Sequence, residues 1–553
     1  MTTDRIWLDQ YPQGVGADID EHEFSSLKEI IEKSCDKYAG LQAYRNMGAT
    51  LTYTDVDRLS RQFGAFLQQT AGLSKGDRVA VMMPNLLQYP IAVFGALRAG
   101  LVVVNVNPLY TPCELEHQLN DAGVKAIVIL ENFATTLEQV LTSVNVETIV
   151  TTRIGDMLPF PKSLITNLVV KHVKKMVPAF NLPRTIGFNE ALAVGTSVAL
   201  VEVELDHEDI AFLQYTGGTT GVSKGAVLSH GNMVANLQQS HAWLSPVIEE
   251  GRELVVTALP LYHIFSLTAN CLTFMKIGGC NLLITNPRDF AGFVKELGRY
   301  PFSVMTGVNT LFNALLNTEG FSQLNFSHLK ITLGGGMAVQ RTVAEQWSKT
   351  TGCALLEAYG LTETSPGVSI NPLSNKDYNG SIGVPMPSTL VSIRDEQGEQ
   401  LDVGEVGEIC VHGPQVMQGY WQRPEDTEAV LLDGGWLRTG DMGRMDEQGY
   451  IFIEDRKKDM ILVSGFNVYP NEVESVAVMH EGVLEAACVG VPHDSGGEVV
   501  KLFVVKNDRE VTGAEVIAHC REYLTSYKVP RRVEFRDELP KSNVGKILRR
   551  ELR

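Results

Sequence analysis

Positive charge is scarce in this sequence: 47 Lys and Arg stand against 65 Asp and Glu, a formal net charge of −18. Broad binding to a phosphate backbone needs clustered cations that displace counterions, so the balance argues against a nucleic-acid partner. Paired cysteines are missing too. The eight cysteines, Cys35, Cys113, Cys271, Cys280, Cys353, Cys410, Cys488 and Cys520, are scattered with no C-x-x-C spacing. That pattern excludes a zinc or disulfide framework and reads as reduced, buried thiols of a cytosolic protein. Residues 1–20 are polar and acidic where a signal peptide has a basic start and an apolar run, so export is not indicated. No apolar run reaches membrane-spanning length without interruption. The longest, around Ile91 to Val106, is broken by Arg98, Asn105 and glycine, and its β-branched centre reads as a buried parallel strand. Internal repeats and low-complexity segments are absent.

What is present is the composition of a soluble, folding chain, 44% hydrophobic and 20% charged over 553 residues. That length is too great for one ordinary core and predicts several domains or one large body with an appendage. Short apolar runs at residues 78–83, 126–130 and 147–150 alternate with helical patterns such as Tyr53 to Gln69, which predicts parallel α/β sheets. Five consecutive charged residues, Asp455 to Asp459, separate two apolar strands. This is the expected hinge between a large body, 1–454, and a small C-terminal lid, 455–553. One segment differs from the rest. Phe160 to Pro183 carries Lys162, Lys171, Lys174 and Lys175 and no acid, with Leu164, Ile165, Leu168, Val169, Val173 and Met176 at helical spacing. Two readings stand: a basic amphipathic helix on an anionic membrane surface, or a surface helix packed on its own domain.

The most specific local signal runs from Tyr215 to Gly225. After the apolar strand Ile210 to Leu213 come Thr216, Gly217, Gly218, Thr219, Thr220, Gly221, Val222, Ser223 and Lys224. Glycines let successive N–H groups turn to one point, the threonines add hydroxyl donors and Lys224 adds a cation, so the loop can cradle a polyphosphate. Residues 221–225 also match the G-x-S-x-G nucleophile elbow, but an elbow needs a strand directly before it and a helix directly after. Here Thr219-Thr220 precede and the strand Ala226-Val227-Leu228 follows, so a serine hydrolase built on Ser223 fails on context. The order Ser-Lys-Gly also departs from the Walker loop.

Residues 216 to 225 resemble the signature loop of the adenylate-forming enzymes: acyl-CoA synthetases, luciferases and peptide-synthetase adenylation domains. Further family signatures follow in order: Pro260-Leu261-Tyr262-His263, Tyr359 to Thr364, Trp436 to Asp441, Asp455 to Asp459 continuing to Ser464-Gly465 and Pro470, and Leu539 to Lys546. Within the family the chain looks like the bacterial long-chain fatty-acyl branch that feeds β-oxidation. The resemblance implies an α/β fold: a large N-terminal domain of stacked α/β sheets plus a β-barrel-like subdomain, with a small mobile α+β C-terminal domain. It implies ATP, coenzyme A and a long-chain fatty acid as substrates and Mg²⁺ as cofactor.

The same resemblance carries roles residue by residue. Thr216 to Lys224 would hold the β- and γ-phosphates, and Glu363 with the Thr216 hydroxyl would hold Mg²⁺, a hard ion suited to oxygen ligands. Asp441 would take the ribose hydroxyls, assisted by Arg456. Gly334, Gly335 and Gly336 with Glu357, Ala358 and Tyr359 would wall the adenine slot, and Gly360 and Thr362 would also belong to the ATP site. Lys546 would be the catalytic lysine of adenylation, bridging carboxylate and α-phosphate, with His263 carried over as catalytic from the second signature. Lys458 falls at the hinge position, and Ser464 and Gly465 would line the thiol path once the small domain rotates. Leu267 stands where some long-chain relatives carry a gating tryptophan. Alternatives within the fold are an enzyme charging a carrier protein, a luciferase-like oxygenase, or a ligase of a medium-chain or aryl acid; outside it, a non-catalytic nucleotide-binding protein. The expected location is the cytoplasm, with peripheral contact at the inner membrane if the basic segment binds lipid. Monomer and homodimer are both compatible with the sequence.

Overall fold

The computed structural model describes residues 5–216, 223–463, 466–492, 498–507, 510–542 and 545–553. Strand-forming runs rich in Val and Ile build an eight-stranded sheet in the order Gly419–Tyr420, Gly225–Ser229, Ile210–Tyr215, Val102–Asn105, Arg78–Met82, Val124–Leu130, Thr148–Thr152, Thr185–Gly187. Its centre is parallel, whereas Ile210–Tyr215 and Gly225–Ser229 run antiparallel as a hairpin. A parallel sheet is covered on both faces, so its strands read as unbroken apolar runs. In Val124–Leu130 six of seven residues are buried.

A second, nine-stranded sheet begins at Val384–Pro385 and passes through Gly367–Ile370, Leu355–Gly360, Ile331–Gly334, Val304–Gly307, Leu254–Thr257 and Cys280–Leu283 to Gln42–Asn46 and Ala49–Thr52. Helix Tyr53–Gln69 begins where the sequence expectation put it. Thr52 caps it, accepting from the Asp55 N–H at 3.1 Å, and the Asp55 carboxylate accepts from the Thr52 N–H at 3.1 Å. A five-stranded antiparallel sheet follows, Leu390–Arg394, Gly407–His412, Trp436–Met445 and Leu431–Leu432, with Ile451–Arg456 on the far edge of Trp436–Met445. This is the region expected to be barrel-like. A smaller C-terminal domain has its own core of Val473, Cys488, Leu502, Val504, Val516 and neighbours. Its strands Val483–Pro492, Glu498–Lys506 and Arg532–Arg536 carry the helices Pro470–Ala477 and Gly513–Tyr523.

The β-branched centre of the run from Ile91 to Val106 is the expected buried parallel strand, Val102–Asn105, but the residues before it belong to a helix, Gln88–Arg98, every residue of which is buried. A helix buried all round has no polar face and so no period to read. Arg98 is fully buried with it, its Nη2 donating to Asp57 Oδ1 at 2.7 Å. Not all the thiols are buried as expected: Cys113 is exposed and Cys353 half-buried. Cys113 is the second residue of helix Pro112–Asp121, whose start projects to solvent.

Candidate active site

The two ends of the phosphate-type loop are joined as a hairpin. Tyr215 pairs with Gly225, and the Thr216 N–H donates to Lys224 O at 2.9 Å, which ties the two ends together. The strand Gly225–Ser229 that follows is the feature that rules out an elbow. Ser223 donates its hydroxyl to Thr216 O across the base. Helix Pro112–Asp121 buttresses the hairpin from one side: His117 Nε2 lies 3.0 Å from Ser223 O, and Asp121 Oδ2 accepts from the Tyr215 hydroxyl at 2.5 Å. Gly217, Gly218, Thr219, Thr220 and Gly221 lie outside the described residues, as do Ser464 and Gly465.

Ile331–Gly334 and Leu355–Gly360 end beside one another, at the carboxyl edge where open α/β sheets bind ligands. A Cβ at Gly335 would stand 3.0 Å from Ala358 O and 3.2 Å from the Phe265 ring, so the two walls approach as closely as a bare backbone allows. Glu357 turns its carboxyl to the Val339 N–H at 2.9 Å, and burial pushes its pKa up to about 8. Asp441 is buried, accepts from the Tyr359 hydroxyl at 2.6 Å and lies 3.1 Å from Arg456 Nε. Burial and the Asp441 charge hold the Tyr359 phenol well above its usual range, which keeps it a donor. Asp441 is thus fixed from two sides, and its N–H is bound by Thr439 Oγ1 at 3.1 Å.

Glu363 is half-buried in the short helix Thr362–Thr364 and accepts from the Tyr420 hydroxyl at 2.6 Å. It lines a cavity of about 260 Å³ with Tyr420, Arg438, Gly440 and Lys457. Lys224 pairs with Asp426 and stands 5.1 Å over the Tyr420 ring.

The C-terminal tail reaches into this neighbourhood. Gly545 has φ +83°, and a Cβ there would lie 2.7 Å from Thr310 Oγ1, so only glycine lets the turn seat against residues 308–310. Thr310 donates to Gly545 O at 3.2 Å. The turn is closed by Ser542 N–H to Lys546 O at 2.7 Å and Lys546 N–H to Ser542 Oγ at 3.1 Å. Lys546 is withdrawn from water and flanked by Arg456, which together push its pKa down to about 8. His263 falls to about 4 through burial and the Lys546 charge, and its Nδ1 accepts from the Phe265 N–H at 3.3 Å, so it is a neutral imidazole with Nε2 as donor. Arg456, Asp441 and His263 therefore all lie within electrostatic reach of Lys546, although 283 residues separate Lys546 from His263. Lys458 is exposed, its ammonium weakened by partial desolvation and by Arg456.

The family model for AMP-binding enzymes matches residues 31–421, and the model for the AMP-binding enzyme C-terminal domain matches residues 472–546. The chain belongs to the AMP-binding enzymes. Among curated relatives of this AMP-binding enzyme, a long-chain-fatty-acid–CoA ligase of Yersinia pestis is 59% identical over 550 residues, covering 100% of this chain and 98% of that protein. One of Bacillus subtilis is 40% identical over 560 residues, with 100% and 98% covered. Among solved structures, ATP-bound MatB from Rhodopseudomonas palustris superposes with a TM-score of 0.81 at 27% identity, over 96% of this chain and 98% of that one. An anthranilate CoA ligase with anthranoyl-AMP gives 0.84 at 24% identity over 97% and 98%, a likeness of fold.

Among the described residues of this AMP-binding enzyme no three His, Cys, Asp or Glu cluster as a metal cage. Glu363 and the Thr216 hydroxyl offer oxygen donors only, the type that Mg²⁺ would need if it bound there with its waters and substrate phosphates. Sequence reasoning missed Tyr420, Asp426 and Thr310, which touch the site from 57, 202 and 235 residues away from their partners. No local motif marks them.

Proposed function

We propose that this chain is an AMP-forming acid–thiol ligase that joins long-chain fatty acids to coenzyme A through an acyl-adenylate. The observation that carries the reading is the 59% identity to a long-chain-fatty-acid–CoA ligase across the whole chain. The meeting of Lys546 with Asp441 and Arg456 supports the chemistry. Two anions, a carboxylate and the α-phosphate, must approach one another, so the site has to supply cations where charge accumulates. Lys546 is placed to bridge them, and the neutral His263 donates from Nε2 beside it. Asp441, set by Tyr359 and Arg456, takes the ribose hydroxyls. Gly335, Gly336 and residues 357–359 wall the adenine, and Gly360 and Thr362 also belong to the ATP site. The hairpin from Thr216 to Lys224 holds the β- and γ-phosphates. Mg²⁺ on Glu363 and Thr216 would neutralise the departing pyrophosphate.

The second half-reaction needs a different arrangement. We place the domain boundary between 454 and 455, with Lys458 as the hinge and Ser464 and Gly465 on the path of the thiol. The seating of Gly545 on Thr310 supports assigning the observed arrangement to adenylation.

The basic segment is proposed to rest on an anionic membrane surface. Helix Lys162–Leu168 and its continuation leave Phe160, Leu164, Ile165, Leu168, Val173 and Met176 exposed, Phe160 by 83%. Lys171, Lys174 and Lys175 are exposed beside them. No helix among the described residues is long and apolar enough to cross a membrane.

The experiment that tests the ligase reading is ATP–pyrophosphate exchange without coenzyme A. Exchange that requires a long-chain acid is expected. Exchange driven equally by aryl acids, or none with fatty acids, contradicts it.

A further inference from the structure

The mechanism above uses Lys224 as a phosphate ligand, yet its ammonium is paired with an anion of the chain itself. Asp426 Oδ1 is paired with it, and the second oxygen, Oδ2, lies 3.9 Å from Arg423. This carboxylate is not on a free side chain of a wandering loop. The strand Gly419–Tyr420 is stitched to Ala226 and Val227 at the foot of the hairpin, and the Trp421 N–H donates to Gly225 O at 2.8 Å. Thr427 closes the turn, its Oγ1 accepting from the Tyr420 N–H at 2.9 Å and donating to Arg423 O at 2.8 Å. Trp421 Nε1 donates to Asp121 O at 3.1 Å, so the helix under the hairpin holds the same segment. Residues 419–427 are thereby built into the hairpin's own framework, and Asp426 is presented to Lys224 at a fixed place. Tyr420 connects the two halves of the phosphate region: its ring lies under Lys224 and its hydroxyl donates to Glu363.

We propose that Asp426 is an internal competitor for Lys224: it holds the ammonium in place of the polyphosphate, yields it when ATP binds, and recaptures it when pyrophosphate leaves. The inference rests on reading the hairpin as the phosphate site. Lys224 and Asp426 are each about one-third exposed, 33% and 35%, and a half-solvated pair of this kind is weak enough to be exchanged for a more highly charged phosphate. A buried pair would not open so cheaply. Asp426 is a positioning residue in this scheme, since it acts on the nucleotide through Lys224.

The test is equilibrium binding of MgATP, without fatty acid, to the wild type, Asp426→Asn, Lys224→Met and the double variant. Asp426→Asn is expected to bind ATP roughly two- to fivefold more tightly, the range set by a partly exposed ion pair. In the Lys224→Met background the same change is expected to have no effect. Steady-state assays are expected to show a lower KM for ATP with kcat unchanged or reduced, because pyrophosphate leaves more slowly. Asp426→Glu is expected to restore wild-type affinity, and Asp426→Ser to repeat the Asn result. Unchanged or weaker ATP binding by both Asp426→Asn and Asp426→Ser overturns the proposal, as does an equal gain in the Lys224→Met background, which would mean direct repulsion between carboxylate and phosphate. Failure of the wild type to bind MgATP would instead overturn the reading of the hairpin itself.

Discussion

Lys546 is charged in this site only below about pH 8, because burial and the neighbouring Arg456 disfavour its ammonium form. For a lysine lowered in this way the cation is present below that value and lost above it. The adenylation kcat/KM for ATP, which reports the free enzyme, is therefore expected to fall as pH rises through about 8. In Lys546→Arg the fall is expected to move beyond the accessible range, since a guanidinium does not deprotonate there. A fall at the same pH in Lys546→Arg would contradict the assignment. Lys546→Ala is expected to lose about 10²–10³-fold in adenylation, as for other groups that stabilise developing charge, while thioester formation from supplied acyl-adenylate stays largely intact. Lys546, Asp441, Arg456 and Glu363 were legible in the sequence because each sits inside a signature whose order along the chain is preserved. Tyr420, Asp426 and Thr310 were not, because what makes them part of the site is a contact across sheets that leaves no mark on their own neighbours in sequence.

At the scale of elements, the sequence places an apolar strand after Lys224, where a nucleophile elbow would need a helix. Gly225–Ser229 is that strand. The buried helix Gln88–Arg98 shows the opposite case, where complete burial removes the periodicity on which the reading depends. One unit escaped sequence reasoning altogether. Asp455, fully buried at the end of Ile451–Arg456, accepts from the N–H groups of Arg456 and Asn471 at 2.7 and 2.8 Å and from Arg549 Nη1 at 3.0 Å. Arg549 also donates to both oxygens of Glu474 in helix Pro470–Ala477, at 2.8 and 2.7 Å. The basic tail is thus a cross-brace from the end of Ile451–Arg456 to helix Pro470–Ala477, and Arg549 is held charged by the acids around it. Arg549→Met leaves the buried Asp455 and the largely buried Glu474 without their cation, a loss of about 3–5 kcal/mol. Urea unfolding and limited proteolysis of the C-terminal domain are expected to show it, with both half-reactions impaired together. Wild-type stability with a defect in adenylation alone would contradict the bracing role.

At the scale of the whole molecule, two regions carry the tasks proposed above. The exposed apolar strip from Phe160 to Met176 lies on a chain whose net charge of −18 would repel an anionic bilayer, so local lysines have to supply the attraction. Reversing Lys171, Lys174 and Lys175 to Glu is expected to abolish sedimentation with anionic vesicles at low salt, each cation being worth about 1 kcal/mol near the surface, without changing turnover of a soluble medium-chain acid. Equal sedimentation of both proteins would remove the membrane from the account. The other is the region where the C-terminal tail sets Lys546 within electrostatic reach of Asp441 and Arg456. A hairpin holding the β- and γ-phosphates, as proposed, would leave the α-phosphate facing Lys546 and the incoming carboxylate, so the bond broken would lie between the α- and β-phosphates. Chromatographic analysis of the nucleotide formed from ATP, Mg²⁺, coenzyme A and a long-chain fatty acid tests this directly. The expected result is AMP and pyrophosphate, one of each per acyl-CoA and none without fatty acid; ADP and phosphate as the products would contradict it.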